Sequence, residues 1–209
     1  MTRIQRKQWN FLVDVFISNS VAGALGHSGT YVETKNKQEE KQLALGKENL
    51  SKILTPALCE LAAKYATGVA VTPEEHMKNI QELIDRANAS CADFFRKGTL
   101  RFGVAAKMFN LWLKYLWCVG KISIPPPHCA FDRDIIQKRL GFSQDWTKIN
   151  DPNIYCEWMK KAEQVRVEEN KELPDLEKRS SLAEWELYAW SGESGCQGFP
   201  ATGSARDAP

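Results

Sequence analysis

RFGVAAKMFNLWLKYLWCVGKISIPPPHCAFD, residues Arg101 to Asp132, is the stretch from which the rest of the chain is read. From Val104 to Val119 almost every residue is apolar, the exceptions being Lys107, Asn110 and Lys114. At about 100° per residue these three fall on one side of a helix. A helix apolar nearly all round is a buried one. The strip Lys107–Asn110–Lys114 must therefore face polar groups or a cleft. The plain reading of such lysines is snorkelling, with the stem packed and the amine in water. It suits Lys114 better than Lys107. Lys107 sits in the first helical turn, where the positive end of the helix dipole disfavours a cation. Desolvation there lowers an amine's pKa and makes it a nucleophile.

The chain has 209 residues, 43% hydrophobic and 26% charged, which is ordinary for a globular protein with a real core. A net charge of +2 neither announces nucleic acid nor argues against it, because a local basic patch is sufficient for binding. The six cysteines are scattered singly, with no CxxC, and read as reduced thiols. The spacing of Cys118, His128, Cys129 and Cys156 fits no familiar zinc site, so no metal is expected. The start MTRIQRKQWNF lacks the apolar run of a signal peptide. Residues 104–119 are too short and too lysine-marked to span a membrane.

Residues 3–18 read as a helix, with Trp9, Leu12, Val13, Phe16 and Ile17 on its apolar side. Asn19 to Thr34, with three glycines, reads as a loop. Lys37 to Ala66 reads as one or two helices, and Pro56 suggests a break near Thr55. Thr72, Pro73 and Glu75 form a helix-start signature for a segment carrying Met77, Ile80, Leu83, Ile84, Ala87 and Cys91 at helical spacing. A turn, FRKGTLRFG, leads to the next helix near Gly103. Arg96, Lys97 and Arg101 lie on this turn. With helix N-terminal amides they make an anion site, against the plainer reading of a solvated turn with ordinary charges.

Beyond Gly120, Pro125, Pro126 and Pro127 impose an extended linker over the preceding helix. Ala130 to Leu140 reads as a short helix ended by Gly141, with Asp132 at its start. Asn150 and Asp151 cap a helix with Ile154, Trp158 and Ala162 inward, and Ser181 with Glu184 caps a last one. No strand of any length is expected, so the fold class is all-α. The chain divides into one helical unit over 1–190 and a tail, 191–209, whose composition predicts disorder.

Gly103-Val104-Ala105-Ala106-Lys107-Met108 resembles the hairpin-plus-lysine signature of the helix-hairpin-helix DNA glycosylases, of the form G-V/I-G-x-K-apolar-A. Members of that family go on to a proline-containing linker and an aspartate opening a helix. Ile124-Pro125 to Phe131-Asp132 is similar to that element, and IIQKRLGF resembles the family's helix ending in R-L-G. The likeness is nearest to the archaeal-type 8-oxoguanine DNA glycosylase/AP lyases and covers residues 101–142. Ala105 stands where the second hairpin glycine would be, and Thr99-Leu100-Arg101-Phe102 replaces the usual Leu-Pro-Gly. The stretch from Lys107 to Asp132 is longer than in most members, and no iron–sulfur cysteine cluster follows.

The resemblance implies a two-lobed helical bundle with a helix-hairpin-helix element and a central cleft near 101–133. It implies a monomeric, cytoplasmic DNA glycosylase without cofactor or metal, acting on duplex DNA with a flipped-out modified base. Lys107 would attack C1′, with AP lyase activity if an imine forms, and Asp132 would stabilise the oxocarbenium-like sugar. Arg96, Lys97, Arg101, Gly103 and Arg133 would hold the DNA. Gln8, Trp9, Asn110 and Trp185 are candidates for reading the base, although tryptophan at helical spacing is more often core. The role would be repair of an oxidised purine, or phage defence through a modified pyrimidine. The competing reading is a non-catalytic helical module that binds DNA or protein, in which Lys107 snorkels and Asp132 only opens a helix. Convergence of Lys107 and Asp132 on one site separates the two.

Overall fold

The structure, a computed structural model, describes residues 1–26 and 29–190, and for Trp190 the backbone alone. The expected disorder of 191–209 lies outside the described residues. These residues are all-α. Six α-helices follow in order: α1 (Arg3–Leu25), α2 (Lys37–Ala63), α3 (Pro73–Cys91), α4 (Phe102–Cys118), α5 (Pro152–Lys171) and α6 (Leu182–Trp190). Among the described residues the β pairing is a single antiparallel bridge, Tyr31 to Phe95.

The helix signals at α3 and α5 act as their side chains dictate. Thr72 Oγ1 accepts from Glu75 N at 3.2 Å, with Pro73 in the first turn. Asp151 Oδ1 accepts from Asn153 N at 2.9 Å. At α6, Ser181 Oγ accepts from Glu184 N, but the Glu184 carboxylate takes the amide of Ser180 instead of completing a reciprocal box.

Three expectations are corrected. First, α1 does not stop at Ser18. It runs to Leu25 because Ser20, Ala24 and Leu25 are buried, and Gly23 fits against Leu111 of α4. Packing outweighs the weak propensity of two small residues and a glycine. Second, α2 does not break at Thr55. Leu50, Leu54, Ala57, Leu58 and Leu61 are buried on both sides of Pro56, so core contacts carry the helix across the missing amide. A 3-10 turn, Lys64–Thr67, then ends at Gly68 with a left-handed φ of 77°. Third, the helix expected from Ala130 shrinks to Arg133–Asp134 and one π-helical turn, Ile135–Arg139. Asp132 caps it, its Oδ1 accepting from Ile135 N at 2.8 Å.

One hydrophobic core runs through the bundle, from Ile17 of α1 to Trp185 of α6. Helix α4 is its axis. Eleven α4 residues are buried, and α1, α2, α3 and α5 all pack on it.

Candidate functional site

The polar strip of α4 meets a partner at each of its three positions. The Lys107 ammonium donates to the carbonyl of Ala130 at 3.1 Å. Asn110 Nδ2 donates to the Tyr155 hydroxyl at 2.9 Å. Lys114 Nζ lies 2.8 Å from Glu186 Oε2, in a pair whose side chains are only 12% and 3% exposed. Lys114 is therefore not a snorkelling lysine. Its partner comes from α6, far along the chain, and a buried ion pair of this kind is held only by good geometry.

Burial pushes the Lys107 ammonium below the usual lysine range, and Lys114 pushes it the same way. The charges of Glu186 and Asp132 oppose that shift. Burial raises the Glu186 carboxyl, while Lys114 and Lys107 pull it down and Asp132 pushes it up. Two amines and two carboxylates thus share one electrostatic neighbourhood. Cys129 lies within it, its thiol pushed well up, mainly by burial. No group of three or more His, Cys, Asp or Glu able to hold a metal is found among the described residues.

Lys107 borders a cavity of about 10 Å3 that it shares with Gly103, Asn110, Cys129, Trp146 and Tyr155. That is room for roughly one water. The Trp146 ring centroid is 6.0 Å from Lys107 Nζ, an aromatic face on the amine. Asp132 borders a different, open pocket of about 290 Å3, with Lys138, Arg139 and Ala189.

The turn between α3 and α4 is pinned from both sides. Asn88 of α3 donates to Thr99 Oγ1 and accepts from Leu100 N, both at 2.8 Å. Gly98 supplies the left-handed φ of 68° that the turn requires. Arg96 and Lys97 are exposed; Arg96 pairs with Glu33, and Arg101 is half-buried. The first amides of α4 are already used, because Phe102 N donates to Asn150 Oδ1 and Gly103 N to the carbonyl of Ile149. An anion at this turn would meet side chains, not a free helix N-terminus. Gly103 has a packing role: a Cβ there would overlap the carbonyl oxygen of Trp146.

The other predicted residues are spread out. Arg133 is exposed, 3.5 Å from Asp145. Gln8 is exposed on α1. Trp9 carries the Lys121 ammonium 4.5 Å above its ring and borders a pocket that includes neither Lys107 nor Asp132. Trp185 is buried and donates from Nε1 to Glu169 Oε2 at 3.0 Å. Of the four base-reading candidates, Asn110 alone borders the Lys107 cavity.

Sequence reading missed Glu186, Trp146 and Tyr155. A signal for Glu186 existed. A lysine on a buried helix calls for a buried counter-charge, and the carboxylate in AEWELYAW lies between two large apolar residues. No protein-family model matches the chain, and no curated protein and no solved structure resembles it significantly. No helix among the described residues is long and apolar enough to cross a membrane.

Proposed function

We propose that the protein is a DNA glycosylase that removes a damaged or modified base, with Lys107 as the attacking amine and Asp132 as the charge partner. The observation that supports this reading is that the two share one electrostatic neighbourhood, while they border separate cavities. Lys107 is a desolvated amine that bonds the backbone two residues before Asp132, and it lies within the field of that carboxylate. The bonding of Phe102 and Gly103 to the 146–150 segment limits DNA contacts at the α3–α4 turn to side chains such as Arg96, Lys97 and Arg101.

The chemistry follows from these groups. Lys107, neutral, forms a bond to C1′ as the N-glycosidic bond breaks. The base leaves with the bonding pair and takes a proton from solvent. Asp132 stabilises the positive charge that develops on the sugar. The sugar ring then opens to an imine on Lys107, from which strand cleavage by elimination can follow. The cavity around the amine holds about one water, so the reaction requires motion. Displacement of α6, or of residues 129–132, must join that cavity to the Asp132 pocket.

The test is incubation with duplexes carrying a panel of oxidised purines and modified pyrimidines, read by strand cleavage with and without hot alkali. Wild type should release at least one of these bases, and a folded Asp132→Asn variant should lose release by at least about a hundredfold. Release undiminished in that variant removes Asp132 from the mechanism. No alkali-labile site with any base of the panel sends the reading to a non-catalytic binding module.

A further inference from the structure

Polar side chains form two hydrogen-bonded runs beside the Lys107 cavity. The first begins at Lys64, exposed and near Glu75 and Glu82, whose ammonium donates to Asn79 Oδ1 at 2.7 Å. An ammonium can only donate, so this contact fixes which end of the Asn79 amide is which. Asn79 Nδ2 then donates to the Tyr65 hydroxyl at 3.1 Å. That hydroxyl has one proton, and it is left for His76 Nδ1, 2.7 Å away. His76 must then carry its own proton on Nε2. That run stops there, because His76 Nε2 and Asn110 Oδ1 are both buried without a hydrogen-bond partner, and a second run starts at Asn110. Asn110 Nδ2 donates to the Tyr155 hydroxyl, whose proton in turn goes to His128 Nδ1 at 3.2 Å.

In this second run both donors point toward His128. The run ends at His128. Burial pushes its pKa down to about 4, so the ring is neutral near pH 7. With Nδ1 accepting from Tyr155, its proton is on Nε2. The ring is buried, 5% exposed, yet it borders a groove of about 590 Å3 with Pro73, Pro127, Met159 and Leu182. Nε2 has no hydrogen-bond partner among the described residues. The Asn110–Tyr155 pair orients His128 and leaves an unspent N–H on the far side of its ring. It is not a proton wire, because the amide of Asn110 does not pass protons on. It delivers a fixed donor.

We propose that this groove is a binding site for a small uncharged planar heterocycle that offers a ring carbonyl or unprotonated ring nitrogen to the Nε2–H of His128. The volume suits a small organic ligand, and the prolines, Met159 and Leu182 supply apolar contact area, with Lys160, Glu163, Gln164 and Arg166 on the rest of the wall. The recognition group is a single oriented donor on an otherwise buried ring, where a hydrogen bond discriminates strongly. The inference does not rest on the glycosylase reading, because neither Lys107 nor Asp132 borders the groove.

The test is nitrogen NMR of the histidine rings, with uracil, hypoxanthine and nicotinamide as probes and toluene as the apolar control. At pH 7 His128 should be the neutral Nε2–H form. At least one heterocycle should shift the Nε2 resonance saturably, whereas toluene should not. His128→Phe keeps the ring and loses the donor, and should weaken that heterocycle roughly tenfold. Tyr155→Phe removes the hydroxyl that orients His128 and should weaken it too, although Tyr155 does not border the groove. An Nδ1–H tautomer, no saturable shift from any of the three heterocycles, or equal binding by the His128→Phe variant overturns the proposal. Unchanged affinity in Tyr155→Phe overturns the orienting role of the Tyr155 hydroxyl. None of these readouts depends on base release, so the outcome is separate from that of the glycosylase assay.

Discussion

Buried imidazoles make this protein sensitive to acid. Burial holds His128 at a folded pKa of about 4 against an ordinary value of 6.5, and burial lowers His76 in the same direction. Between those values the unfolded ring binds a proton that the folded ring does not, so stability falls as pH drops from about 6.5 and levels off near 4. For His128 alone the loss by pH 5 is about 2 kcal/mol. Glu74 acts against the shift, and the Tyr155 hydroxyl holds the ring in place. Urea unfolding of wild type and His128→Phe at pH 7 and pH 5 isolates the effect from the carboxylates. The wild type should lose about 2 kcal/mol more than the variant over that interval. Parallel losses would mean that His128 is not buried neutral.

At this scale the sequence disclosed one half of each pair. Lys107, Asn110 and Lys114 stood out because three polar residues interrupt an apolar helix at helical spacing. Their partners Ala130, Tyr155 and Glu186 lie on other segments, and nothing local sets which residue meets which. His76 on α3 and His128 beside the prolines carried no periodic signal either. Their rings pack edge to face with centroids 4.5 Å apart only because the fold brings those segments together.

Helix starts were legible where a side chain caps them, and so was the end at Gly141, but the lengths of α1 and α2 were not. Thr72 and Asp151 act over two or three residues, so they can be read directly. The extension of α1 to Leu25 and the passage of α2 through Pro56 are decided by core contacts that no window of sequence contains. Two glycines show the same contrast. Gly103 sits where α4 meets the 146–150 segment, and a Cβ would strike the Trp146 backbone. Gly103→Ala should cost about 3 kcal/mol and disturb Trp146. Gly23, inside α1, has ordinary van der Waals room at 3.5 Å from Leu111. Gly23→Ala should leave stability unchanged or raise it by up to about 1 kcal/mol. Thermal unfolding of both variants checks the pair, and a neutral Gly103→Ala would show that the joint yields easily.

On the scale of the whole molecule, the all-α class was legible from periodicity, while the site was legible only in part. It is assembled from α4, the segment carrying Ala130 and Asp132, and Glu186 of α6. In the present arrangement the amine is enclosed, and α6 is tied to α4 by the Lys114–Glu186 pair. The central claim is that Lys107 is a nucleophile and not a structural lysine. Borohydride trapping on a duplex carrying a base that the protein excises measures this directly. Wild type should give a covalent protein–DNA adduct, with the modified residue mapped to Lys107. Lys107→Gln should give none, and Lys114→Gln, if folded, should still give it. An adduct mapped to Lys114, or one that persists in Lys107→Gln, would contradict the assignment.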